Sequence, residues 1–198
     1  MEVNGDWAEN AFVVKANLMH EAVHSGEHGF SSANKIVRSA VTVYNDLPEY
    51  NLFGVADCIE FTRSANGVAV PGLDGKYSIR IVEYKPRPPK DADFHESDAV
   101  HVFAQKLCAD FVWGCDSEAY IYYAEKRRRV RLDFGDPKVY GKYDAQIKQY
   151  AGEMRQLLNG HRIPPKRTGQ NCSGCSLEDA CFAKSKAYNV QKILAAIE

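Results

Sequence analysis

Two acidic residues and a lysine, on neighbouring strand-like segments, carry the chemistry that this sequence predicts. Glu83 and Lys85 end the alternating segment 77–85. Their side chains share one face of the predicted strand, because side chains on a strand repeat every second residue. Asp57 lies in a second strand-like segment, 52–61. Two carboxylates bind a hard divalent cation, and a lysine stabilises an attacking water or a charged phosphoryl group. The set Asp57…Glu83-x-Lys85 therefore predicts metal-dependent cleavage of phosphodiester bonds.

A predicted helix upstream of these strands offers a nitrogen ligand. Residues 7–29 show apolar residues at helical spacing, and His20 lies among them. His20, Asp57 and Glu83, with the main-chain carbonyl of Tyr84, would form an oxygen-rich set with one imidazole, which suits Mg²⁺ or Mn²⁺. The alternative interpretation of His20 is a solvated histidine on a helix surface.

The remaining pattern predicts an α/β domain. Strands are predicted over 36–44, 52–61, 77–85, 118–124 and 128–134, and helices over 7–29, 97–113 and 137–158. Gly114 is expected to end the second helix, and Asp136 is expected to cap the third, before a proline at its first position. Residues 62–76 contain three glycines and a proline and are expected to form a loop. This order predicts a mixed sheet flanked by helices.

Length and composition indicate one ordinary globular domain. The chain has 198 residues, 45% hydrophobic and 26% charged, which is enough to bury a core. The prediction divides it into a core over 1–160 and a C-terminal segment with a tail helix over 161–198, packed on that core. No apolar segment is long enough to cross a membrane and no signal peptide is evident, so a cytoplasmic location is expected.

Basic residues are clustered although the net charge is only −1. That net charge excludes a bulk binder of polyanions, but local patches still bind phosphate backbones. Arg127, Arg128 and Arg129 lie in the turn of the predicted hairpin, and Arg87 follows the strand that carries Lys85. Both clusters are expected to contact DNA. The alternative is a solvated hairpin tip and solvated loops.

The cysteines fall into two groups. Cys172, Cys175 and Cys181 are spaced as a metal-binding cluster. The others lie among apolar neighbours and are expected to be buried thiols; they are Cys58, Cys108 and Cys115.

In combination, these motifs resemble those of the small RecB-like nucleases of CRISPR adaptation, in the form that accompanies type I systems, closest to subtype I-C. The matching segments are LMHEAV at 18–23, FGVAD at 53–57, VEYK at 82–85, AQKLC at 104–108, the hairpin with its arginines at 122–129, and the cysteines at 172–181. By this resemblance His20, Asp57 and Glu83 would bind the metal, and Lys85 would be the catalytic lysine. The three C-terminal cysteines would bind an iron–sulfur cluster.

The resemblance implies a PD-(D/E)-x-K fold and a metal-dependent DNA nuclease. Such nucleases trim the 3′ overhangs of prespacers, and they act with the CRISPR integrase and its small partner subunit. Two alternatives remain open. One is a DNA- or integrase-binding subunit with little or no catalysis, either host-encoded or phage-borne. The other is a general RecB-like repair nuclease without a CRISPR role.

The sequence departs from the family pattern at two places. A 4Fe–4S cluster normally needs four thiolates, and the family's first cluster cysteine, upstream of the first helix, has no counterpart before Cys58. A segment upstream of Met1, another residue, a water or another chain would supply the fourth ligand, or zinc would replace the cluster. The second departure is His101, where the family commonly carries a glutamine; Gln105 follows one turn later. The pair is expected either to line the active site or to face solvent.

Overall fold

The computed structural model describes residues 30–162, which lie within one compact unit of the chain. The strands are β1 (Phe30–Ser31), β2 (Lys35–Asn45), β3 (Leu52–Ala69), β4 (Lys76–Lys85), β5 (Glu118–Tyr123) and β6 (Arg128–Leu132), and the helices are α1 (Glu96–Trp113) and α2 (Pro137–Asn159). The predicted helix 7–29 with His20 lies outside the described residues. The same holds for the cysteine cluster and nearly all of the segment 161–198.

The six strands of this range form one sheet in the order β1-β2-β3-β4-β5-β6. All neighbouring strands are antiparallel except β4 and β5, which are parallel. A parallel pair needs a crossover connection, and α1 lies in that connection, between β4 and β5 in the chain. The predicted α/β domain with a mixed sheet is confirmed.

Helix α1 packs on the sheet through two groups of apolar residues, each against a different pair of strands. Val102, Phe103 and Leu107 contact apolar side chains of β5 and β6. Cys108 and Ala109 contact those of β3 and β4. This packing fixes the helix over the two strands that carry the acidic residues.

The helix ends follow the capping signals of the sequence. Gly114 is the C-cap of α1 with φ of 60°, in the left-handed region that glycine adopts without strain. The Asp136 side chain accepts hydrogen bonds from the main-chain N–H groups of Lys138 and Val139, and Pro137 opens α2. Both predicted caps are confirmed. Neither helix of the described range is long and apolar enough to cross a membrane.

The predicted loop over 62–76 is wrong in its first half. Strand β3 continues to Ala69, with an irregularity in its pairing to β4 between Arg63 and Val68. Gly67 accounts for the misleading signal. A Cβ at this position would lie 2.3 Å from the main chain of Tyr77, so glycine permits a close approach of two strands there and does not mark a loop. The short β1 was also not predicted.

A buried lysine ties the end of α1 to the start of β5. Lys106 is 1% exposed. Its ammonium group lies 2.7 Å from the Asp110 carboxylate, 2.6 Å from that of Asp116 and 2.7 Å from the Ser117 carbonyl oxygen. Because three oxygens surround it, this charge is stable in the interior, and it orients the turn that leads into β5.

We expect Lys106→Met to destabilise the fold by about 3 kcal/mol, because the partly buried Asp110 carboxylate would lose its cation. Methionine keeps the apolar stem and removes only the charge. The control is Lys148→Met, which removes an exposed pair with Asp144 at the same i, i+4 spacing and should change stability by less than about 0.5 kcal/mol. Urea unfolding measures both variants. Equal effects would contradict a special role for Lys106.

Candidate active site

Strands β3 and β4 separate at Asp57, and this separation forms one side of the candidate site. Their pairing ends at Cys58 and Val82. Beyond that point the Asp57 Oδ2 atom accepts a hydrogen bond of 2.9 Å from the Tyr84 main-chain N–H. On the other side, the pairing of β2 with β3 skips Ala40, which has a strained φ of 52°. The Asp57 carboxylate, 3% exposed, is thus held at an interruption of both ladders.

Glu83 lies at the centre of the site and accepts hydrogen bonds from three side chains. It is fully buried. Lys85 Nζ lies 2.7 Å and His101 Nδ1 lies 3.2 Å from its Oε1 atom. Gln105 Nε2 lies 2.8 Å from its Oε2 atom. His101 and Gln105 are neighbours on α1 because residues four apart share a helix face, so the helix covers the acid from above the sheet.

The electrostatics of this cluster keep Glu83 ionised. Burial raises the pKa of Glu83, but the hydrogen bond from His101 and the charge of Lys85 outweigh it and lower the pKa to about 2. The hydrogen bond to Glu83 raises the pKa of His101 above its usual value, although burial opposes this shift. The Asp57 charge also raises the pKa of His101, which places the Asp57 carboxylate within electrostatic range of that ring.

The oxygen atoms of the site fit a hard divalent cation. Asp57 and Glu83 supply carboxylates, the ligand type that Mg²⁺ and Mn²⁺ prefer. The Oε1 atom of Gln105 is buried without a hydrogen-bond partner among residues 30–162, which adds an acceptor near Glu83. Within that same range, no three His, Cys, Asp or Glu side chains converge as a metal-binding group. The imidazole of the predicted set belongs to His20, outside the described residues.

The structure brings together most of the predicted site, whereas Arg128 and Arg129 pair with acids outside it. Asp57, Glu83, Lys85, His101 and Gln105 lie at one place, and the main chain of Tyr84 joins them. Gln105 is 5% exposed and bonds to Glu83, so the alternative of a solvent-facing side chain does not hold for it. The His101 side chain is 52% exposed, although it also contacts Glu83 at 3.2 Å.

The hairpin arginines are largely engaged in ion pairs. Arg129 donates two hydrogen bonds of 3.0 Å to the Glu60 carboxylate and lies over the Tyr120 ring at 4.1 Å. Arg128 pairs with Asp93. Their charges are therefore partly neutralised within the protein, which weakens the prediction that this block contacts DNA.

Two predicted arginines are exposed and have no ion pair in the described range. Arg127 lies in the hairpin turn with φ of 48°, and Arg87 follows β4. Neither has an acidic side chain within ion-pair distance in the described part of the chain. Among the predicted arginines, these two therefore keep a charge that no acid of residues 30–162 neutralises.

The acidic partner of Arg129 is Glu60, which the sequence did not predict. Glu60 is 7% exposed and also pairs with Lys35 at 3.0 Å. The only sequence signal is an acid inside an otherwise apolar strand, where a charge needs a partner. That signal does not say which of the many basic residues supplies it.

The described cysteines behave as interior thiols. Cys58 and Cys108 are buried, as predicted, and Cys115 is half-buried. Burial raises the pKa of Cys58 and of Cys108 to about 11, so both thiols are protonated at neutral pH in these surroundings.

No protein-family model and no curated protein sequence matches this chain.

Proposed function

We propose that this protein is a metal-dependent DNA nuclease of the PD-(D/E)-x-K type. One observation carries the proposal: a fully buried, ionised Glu83 lies between Lys85 and α1, beside an Asp57 carboxylate held where two strands separate. A buried carboxylate is costly without a cation or several donors. Two acids and a lysine at one point, with the pKa of the buried Glu83 carboxyl strongly lowered, are typical of catalytic sites.

Each residue has a distinct role in the proposed reaction. Asp57 and Glu83 would hold the cation, which would supply Lewis-acid stabilisation of the phosphate charge. Lys85 would hold the attacking water or neutralise the negative charge on the phosphoryl oxygen. Its ammonium is already oriented by the Glu83 carboxylate, so little reorganisation is needed during the reaction.

His101 and Gln105 would position the catalytic acid. Each bonds to Glu83 from α1, and together they fix the direction of its two oxygen atoms. Groups that orient a metal ligand in this way influence affinity and activity strongly.

The biological role that we propose follows the sequence resemblance. The nuclease would trim the 3′ overhangs of prespacers in CRISPR adaptation, together with the integrase and its small partner subunit. His20 would complete the metal ligands, and Cys172, Cys175 and Cys181 would bind a 4Fe–4S cluster or zinc. Arg87 and Arg127, whose charges are exposed, would contact the DNA backbone.

Cleavage of end-labelled DNA by anaerobically purified protein tests the proposal. The substrates are a duplex with a 3′ single-stranded overhang, the same duplex with a 5′ overhang, and a blunt duplex. We expect cleavage of the 3′ overhang with Mn²⁺ or Mg²⁺ and none with EDTA. A folded protein that binds the DNA but never cuts it would contradict the proposal and favour a binding subunit. Equal cutting of all three substrates would favour a general repair nuclease.

A further inference from the structure

A narrow cleft opens beside the candidate active site, between the end of the β2–β3 hairpin and α1. Its volume is about 90 Å³, several times the ~15 Å³ that one water molecule needs. The walls are mostly apolar. Val43, Leu52 and Val55 lie on the strand side, and Ala104 and Cys108 lie on the helix side. Ligand sites are typically clefts of this kind, in which a few polar groups fix orientation.

The polar wall of the cleft is shared with the active site. His101 and Gln105 line it, and both also contact Glu83. A group in the cleft therefore lies one side chain away from the catalytic acid. Gln105 is 5% exposed, and its Oε1 atom lacks a hydrogen-bond donor among residues 30–162. Buried acceptors are normally paired, and a rotation of the Gln105 amide that turns this oxygen toward the cleft would offer it to a ligand that carries N–H groups.

A glycine leaves room on the strand side. Gly54 lines the cleft and pairs with Val43, a buried residue of the core under α1. A Cβ added at Gly54 would meet no atom within 4 Å. The space in which a side chain would lie is therefore open, and glycine is not required there by backbone strain.

We propose that this cleft holds an unpaired nucleobase of the strand that is cut, next to the scissile phosphodiester. The inference rests on the proposed nuclease function. A nucleobase is a flat ring with apolar faces and N–H donors at its edge, which matches the apolar walls and the free acceptor of Gln105. The ammonium of Lys85 supplies the positive charge that the neighbouring phosphate requires. A paired base reaches such a cleft only by leaving its helix, at a cost of a few kcal/mol, so the cleft selects single-stranded ends.

The test compares the wild-type protein with a variant whose added side chain fills the cleft, and a fluorescent base in the DNA reports whether it enters the cleft. Single-stranded DNA carries the fluorescent base 2-aminopurine at its 3′ end or at one of the next positions, and binding is measured in EDTA so that no cleavage occurs. We expect the wild-type protein to change the emission at one position. Gly54→Val should abolish that change and weaken binding about tenfold, the size of one lost base contact. The control Thr42→Val places a valine on the same hairpin outside the cleft, where it only replaces the threonine hydroxyl group by a methyl group, and this variant should bind as the wild type does.

The outcomes separate this inference from the nuclease itself. Cleavage with Mn²⁺ is measured on the same three proteins. If the wild type cuts DNA while emission and affinity are equal in all three, the cleft does not hold the base and the nuclease proposal stands. If the wild type cuts no DNA, the nuclease proposal fails whatever the emission shows. Melting temperatures report folding. If Gly54→Val is unstable, Gly54→Ala, which adds one methyl group, should give a smaller loss in the same direction, and a wild-type response from it overturns the inference.

Discussion

Lys85→Ala should lose DNA cleavage by about 100- to 1000-fold, the usual effect of removing one preorganised charge from a reaction centre. The Lys85 ammonium group lies 2.7 Å from Glu83 Oε1 and its side chain is 20% exposed, so it reaches both the acid and an incoming phosphate. The fold should remain, because Gln105 and His101 still contact the buried carboxylate. Single-turnover cleavage of a labelled 3′ overhang in saturating Mn²⁺ measures the chemical step separately from DNA binding.

Lys76→Ala is the matched control for this experiment. Lys76 is the first residue of the strand that Lys85 ends. It is exposed and lies at the opposite end of that strand from Glu83. Its loss changes the net charge equally but should leave the cleavage rate unchanged. If Lys85→Ala cuts at the wild-type rate, or if both variants lose the same fraction of activity, the catalytic role of Lys85 is wrong.

Glu83→Gln should weaken Mn²⁺ binding and cleavage by more than about 100-fold. Glutamine has nearly the same shape, but it is neutral and turns one acceptor into a donor. Three donors now point at Glu83, from Lys85, His101 and Gln105. At least one of them would meet an N–H group instead of an oxygen. Calorimetric titration with Mn²⁺ measures the loss of metal affinity, and the cleavage assay measures the loss of rate.

Glu60→Gln provides the control, because Glu60 is also a buried carboxylate on the sheet. It pairs with Arg129 and Lys35, whereas Glu83 pairs with Lys85. We expect this variant to have a lower melting temperature and wild-type cleavage per folded molecule. If instead Glu83→Gln is active and Glu60→Gln is inactive, Glu60 and not Glu83 lies at the reaction centre.

The local part of the site follows from the sequence. Glu83 and Lys85 share a face because strand side chains alternate, whatever the rest of the fold. Asp136 caps α2 because its side chain accepts hydrogen bonds from main-chain N–H groups at the start of the helix. Gly114 ends α1 because a residue without a side chain adopts the left-handed conformation without strain. Local geometry also explains the one large error: a glycine at 67 is equally consistent with a loop and with the close approach to Tyr77 that the structure contains.

The sequence alone thus predicted the two acids and the lysine of the candidate site, and it determined that strands present them. Only the tertiary structure decided what surrounds them. It separates β3 from β4 so that Asp57 bonds to Tyr84, brings Gln105 of α1 onto Glu83, and pairs the charge of Arg129 with that of Glu60. These contacts join residues 22 to 69 positions apart. Their partners are chosen by how the helix and strands pack, which no local pattern of residues encodes.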